Sequence, residues 1–105
     1  MFRNVTALLF VAACTSGASS TGISDLSCPP DSTLTYTNFA QDVISTRCSS
    51  CHDNKSPRLM TQAELKAQTS QILDAAVYTD AMPNGGGMTL EERKLLGEWL
   101  VCGAP

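Results

Sequence analysis

Long apolar runs, basic clusters, aromatic rings and histidines are all scarce in this chain of 105 residues. No apolar stretch approaches the roughly 20 residues of a bilayer-spanning helix, so a permanent transmembrane segment is not expected. Seven Lys and Arg against ten Asp and Glu leave a formal charge of −3, and no helix face concentrates the basic ones. A nucleic-acid binder needs such a footprint, and that class is set aside. With His52 as the one histidine there is no serine–histidine pair, and the glycines 85–87 come without the lysine and strand of a phosphate loop. No catalytic constellation is readable, so the chain is not expected to be an enzyme. No segment alternates with the two-residue period of a strand, which leaves an all-α domain.

Hydrophobic residues make up 43% of the chain, an ordinary share, yet aromatics reach only 6% and part of the length reads as targeting sequence. A folded remnant of this size buries too little surface to be stable on packing alone, and small scaffolds add disulfides, a metal or a cofactor. Five cysteines in so short a chain point to such supplements.

Residues 1–13 carry Arg3 as their one charge, then the apolar stretch Val5 to Val11, then small residues before Cys14. This is the pattern of a signal peptide. Val11-Ala12-Ala13-Cys14 is similar to a bacterial lipobox, in which the cysteine is lipidated and becomes the mature N-terminus. Ordinary signal cleavage beside a free or disulfide-bonded cysteine is the alternative. Lipidation at Cys14 implies an exported protein anchored to a bacterial membrane, and Thr15, being non-acidic, favours the outer membrane, facing the periplasm or the surface. Removing Arg3 leaves six basic and ten acidic side chains, a formal −4. An acidic protein of this kind prefers partners with basic docking patches. Residues 14–27, rich in Ser, Thr and Gly and without periodicity, read as the lipidated cysteine and a flexible tether, so the domain is placed at 28–105.

Tyr36, Phe39, Val43 and Ile44 recur at helical spacing with Thr35 or Thr37 as N-cap, predicting a helix near 37–47. Thr61-Gln62-Ala63-Glu64 is a capping-box pattern before one or two helical pieces within 62–77, and Thr89-Leu90-Glu91-Glu92 is another before a last helix with Leu95, Leu96, Trp99 and Leu100 on its apolar side. Ala81-Met82-Pro83-Asn84 and the three glycines can only be a loop.

The most specific feature is Cys48-Ser49-Ser50-Cys51-His52. In a C-x-x-C-H segment two thiols add to the two vinyl groups of a haem, and the histidine that follows lands where its imidazole can ligate iron. Covalent attachment also lets a tiny domain keep its cofactor without a deep pocket. The competing readings are a structural disulfide between Cys48 and Cys51, a thioredoxin-like pair, which would want a βαβ context, and half a zinc site, for which a second ligand pair is missing.

From about Tyr36 to Pro105 the chain resembles the class I cytochrome c family, on a helix leading into Cys48-Ser49-Ser50-Cys51-His52, a Met82-Pro83 pair downstream and a final amphipathic helix carrying Trp99. The resemblance implies a small all-α fold around one covalently attached haem c, with first and last helices crossing. Phe39 and Trp99 are then candidates for the crossing contact, and Ala40 and Gly97 for close approach. It also implies iron ligated by His52 and Met82, since methionine often precedes proline in the family's ligand loop. Met88, after the glycines, is the rival ligand, and Met60 is expected to pack.

Cys28 and Cys102 remain once lipid and haem have claimed three cysteines. A disulfide between them suits an exported compartment, a pair of buried free thiols is the alternative, and Cys14 could instead pair with one of them. The function these expectations describe is a monomeric one-electron carrier working with redox partner proteins. A haem-based small-ligand sensor with an open or weakly held sixth position is the alternative, and a haem-free lipoprotein with a Cys48–Cys51 disulfide is a third.

Overall fold

Three threonines open three of the helices, each with the same reciprocal device. In the computed structural model, which describes residues 19–48, 56–83 and 87–105, α1 begins as a π-wound turn (Tyr36–Ala40) and continues as an α-helix (Gln41–Arg47). Thr35 caps it: its hydroxyl accepts from the Asn38 N–H while the Asn38 side chain accepts from the Thr35 N–H. α2 (Gln62–Ala67) starts from Thr61 and Glu64 in the same way, and α4 (Leu90–Val101) from Thr89 and Glu92. Each box satisfies two of the N–H groups that a helix start leaves without partners, and such a cap contributes about 1 kcal/mol. Between α2 and α4 lies α3, which starts without a side-chain cap as an α-helical turn (Thr69–Ile72) and runs into a π-wound end (Leu73–Val77). The domain is all-helical, with four helices and no strand among the described residues beyond an isolated bridge between Ser20 and Thr79. No helix among them is long and apolar enough to cross a membrane.

α4 packs most extensively on the π-wound end of α3. Trp99, Ile44, Leu65, Leu96 and Val77 are sealed in the core, so every helix contributes a fully buried side chain. The ring stacked near Trp99 is Tyr36, at 6.4 Å between centroids and 36° between planes, and not the expected Phe39, which packs at the edge of the core. The π-wound first turn offers the reason: its wider winding shifts the register by which 3.6-residue spacing assigns faces. Gly97 does mark a close approach, but of different neighbours. A Cβ there would stand 2.6 Å from Leu26 Cδ1 and 2.9 Å from Val77 Cγ1, so the missing side chain makes room for α3 and for the segment before Cys28.

That segment reads as tether by composition, yet its described part is bound to the domain. The Thr21 N–H donates to the Tyr78 carbonyl at 3.0 Å, the Asp80 N–H donates to the Ser19 carbonyl at 3.0 Å, and the Ser19 N–H donates to Asp80 Oδ1 at 2.7 Å. Ile23 and Leu26 pack against the core. Counting Ser, Thr and Gly overlooks that two apolar side chains three residues apart suffice to dock a strand-like segment, so the packed unit includes residues 19–27 and begins before the expected boundary at Cys28. Residues 14–18, and Cys14 with them, lie outside the described residues.

The residues after α4 are fastened to the first turns of α1 and α2. Pro105 offers its carbonyl to the Tyr36 N–H at 2.7 Å and to Trp99 Nε1 at 3.0 Å, and Ala104 accepts from Gln62 Nε2 at 2.8 Å. Gly103, with φ +96°, turns the chain out of α4 in the left-handed conformation that ends helices at little cost to glycine. Cys28 and Cys102, 74 residues apart, are placed as a disulfide with Cα atoms 4.8 Å apart, the pairing expected from the cysteine count.

Candidate functional site

α1 ends where the C-x-x-C-H segment starts. Arg47 is its last residue and Cys48 its C-cap, with the Cys48 N–H donating to the Ile44 carbonyl at 2.9 Å and the side chain half-buried against the core. Cys51 and His52 lie outside the described residues, as do Gly85 and Gly86.

Two contacts bring the end of α1 to the start of α4. Arg47 Nη2 pairs with Glu92 Oε2 at 3.2 Å, and Glu92 is also the capping-box carboxylate that accepts from the Thr89 N–H at 2.9 Å. The Thr89 backbone bond and the Arg47 guanidinium together hold the Glu92 carboxyl below its usual range, against the opposing effect of burial. Gly87, with φ +101°, lies against the same arginine: a Cβ on it would be 3.8 Å from Arg47 Nη1. The loop that starts at Met82 therefore returns beside the residue preceding Cys48. Arg47 Nε is buried and has no hydrogen-bond partner, leaving a charged donor next to the motif without an acceptor.

The other end of that loop is fixed through its backbone. The Met82 N–H donates to the Ala75 carbonyl at 2.7 Å, and the Met82 carbonyl accepts from Arg93 Nη1 at 2.6 Å. The same Nη1 reaches the Ala76 carbonyl at 2.7 Å and the Thr79 carbonyl at 3.5 Å. Arg93 is only 4% exposed, a rare position for a charge unless its hydrogen bonds are well satisfied. The Met82 side chain, by contrast, is 39% exposed.

The other methionines are placed differently from expectation. Met88, the rival ligand, is built into the core, while Met60, expected to pack, is 40% exposed just before α2. The core beside Met88 has room for it because α4 begins two residues later and turns its apolar face inward. Met60 is turned outward as its backbone N–H docks on Glu64 Oε1 at 2.8 Å, part of the cap of α2.

Arg93 is the functional candidate that motif reading passes over. A signal for it was present: Leu96, Gly97 and Leu100 lie three, four and seven residues on, which puts Arg93 on the buried stripe of α4. A cleft of about 340 Å³ opens beside it, lined also by Thr21, Asp80, Gly87, Met88 and Leu90. Among the described residues no group of three His, Cys, Asp or Glu side chains converges on a metal-sized site. No protein-family model, curated protein or solved structure matches the chain.

Proposed function

We propose that this chain is a one-electron carrier of class I cytochrome c-like architecture, with haem c attached through Cys48 and Cys51 and its iron ligated by His52 and Met82. The observation that carries the reading is the treatment of Met82: both of its backbone polar groups are tied down while its apolar side chain is left exposed, on a loop whose far end, Gly87, lies beside Arg47, the residue before Cys48. Exposing a large apolar side chain from a fixed backbone serves no packing purpose, and a thioether so presented is a soft ligand suited to iron. The donor set fits the group in a second respect, since the buried Arg47 Nε needs an acceptor and haem brings carboxylates.

When bound, haem c supplies the Fe(II)/Fe(III) couple, and a thioether ligand favours the ferrous form. This chain's residues do the rest. Cys48, at the C-cap of α1, sets where the attachment segment leaves the fold; Met82 is presented by its loop; and the Arg47–Glu92 pair ties the end of α1 to the start of α4. No group in this arrangement is asked to transform a substrate. The same reading makes Cys14 a lipid anchor, puts the domain on a bacterial membrane, outer membrane favoured, and gives it redox proteins as partners.

The test is maturation in a bacterial exported compartment, followed by intact mass and spectra of the reduced protein with and without carbon monoxide. One covalent haem per chain, lost in Cys48→Ser/Cys51→Ser, and a reduced spectrum that carbon monoxide leaves unchanged are expected. A mature protein without haem contradicts the proposal, and a spectrum that shifts with carbon monoxide replaces the carrier with a ligand-binding sensor.

A further inference from the structure

α3 ends in a π-wound turn, Leu73–Val77, and the Thr79 hydroxyl, donating to the Asp74 carbonyl at 2.7 Å, serves one of its carbonyls. The carbonyls left over at such an end must find donors, and a cation near them is favoured by the helix dipole. Thr21 serves the carbonyls of Val77 and Tyr78, and a further donor comes from another helix. Arg93 of α4 extends one guanidinium nitrogen to the carbonyls of Ala76 and Thr79, and to that of Met82, the first residue of the presumed ligand loop. The neighbouring carbonyl, Ala75, accepts from the Met82 N–H. Met82 is thus bracketed: its N–H rests on α3 and its C=O on a side chain that itself rests on α3.

We infer that Arg93 is a positioning residue that holds Met82 in place as the sixth ligand, an inference that rests on the ligation proposed above. The bond between a thioether and ferric iron is weak enough for other ligands to compete, so the outcome depends on how much freedom the methionine regains when detached. A loop tied at both backbone groups of Met82 returns its sulfur to the same place. A loop tied at the N–H alone pivots about that one bond. Burial strengthens the clamp, because at 4% exposure the guanidinium bonds meet little competition from water. Arg93 does not touch the iron in this account and acts only through Met82.

The experiment uses the haem-loaded protein and added imidazole as the competing ligand, in wild type, Arg93→Met, Arg93→Lys and Gly97→Ala. In ferric wild type the methionine–iron charge-transfer band is present and imidazole displaces it slowly and weakly. In Arg93→Met the band fades and imidazole binds at least about tenfold more tightly, the equivalent of one lost charge-assisted hydrogen bond. Arg93→Lys keeps a cation with several donors and falls between the two. It also carries the test if Arg93→Met yields no folded protein. Gly97→Ala loosens the packing of the same helix on Leu26 and Val77 without removing any of the Arg93 bonds, and leaves imidazole affinity at the wild-type value. Wild-type imidazole affinity in the folded Arg93 variants would overturn the inference, as would an equal gain in Gly97→Ala, which would mark general loosening. If the band is absent from wild type, or survives in Met82→Ala, the ligation reading itself has failed, a result obtained before any Arg93 variant is made.

Discussion

The two ends of α4 are built on opposite plans. Its C-terminal end is dense and apolar: Trp99 and Leu100 are sealed, the Pro105 carbonyl ties Trp99 to Tyr36, Ser32 Oγ donates to Glu98 Oε2 at 2.6 Å, and the Cys28–Cys102 pair joins it to the segment before α1. Its N-terminal end is polar and less filled: a buried arginine gathers carbonyls, an ion pair reaches across to α1, and a cleft remains open. The first end has the features that make a small domain stable. The second has those that place a loop and leave room around it. If the proposed haem ligation holds, stability and function are separable along one helix, and variants at the two ends should have different readouts.

The largest effect belongs to the closed end. Trp99→Ala removes a fully buried ring and its bond to Pro105, and is expected to cost about 3–5 kcal/mol, measured by denaturant unfolding of the haem-loaded protein. Cys28→Ser/Cys102→Ser comes next, at about 2–4 kcal/mol for a loop of this length, and the same loss should follow reduction of the wild-type protein. Gly97→Ala should cost about 1–2 kcal/mol, the clash with Leu26 and Val77 outweighing the gain in helix propensity. In all three, whatever folded holoprotein remains should keep the wild-type absorption spectrum. A spectral change equal to that of a loop variant would erase the distinction between the ends.

The smallest effect sits at the open end and depends on pH. The Glu92 carboxyl is held below its usual value by the Thr89 N–H and by Arg47, so its ionised form stabilises the fold above the ordinary carboxylate pKa of 4.5 and that contribution fades as pH falls through the lowered folded value. Because both partners of the ion pair are partly solvated, Glu92→Gln should cost only a few tenths to about 1 kcal/mol at pH 7. Thermal unfolding at pH 7 and at pH 3 should show the wild-type advantage at the first and its near disappearance at the second. An advantage that grew on acidification would contradict the assignment.

Capping was legible in advance because it is local: Thr61 with Glu64, and Thr89 with Glu92, are three residues apart, and each forms the reciprocal bonds expected of it. The disulfide was legible by counting, and the all-helical class by the want of strand periodicity. What escaped is tertiary. The π-wound turn at Tyr36 moved the ring contact from Phe39 to Tyr36, and no sequence period announces such a turn. The docking of residues 19–27 rests on Ile23 and Leu26 meeting the surface around Gly97, a match that exists only once α3 and α4 are packed. For the site, C-x-x-C-H and Met82 could be named from their chemistry, whereas the anchoring of Met82 depends on Arg93, eleven residues away, reaching back over the end of α3.

The most direct test of the central claim is the ferric absorption spectrum in the methionine–iron charge-transfer region, recorded for wild type, Met82→Ala and Met88→Ala after maturation with haem. The account predicts a band in wild type that is lost in Met82→Ala and kept in Met88→Ala, whose side chain belongs to the core. A band lost in Met88→Ala and kept in Met82→Ala would contradict it.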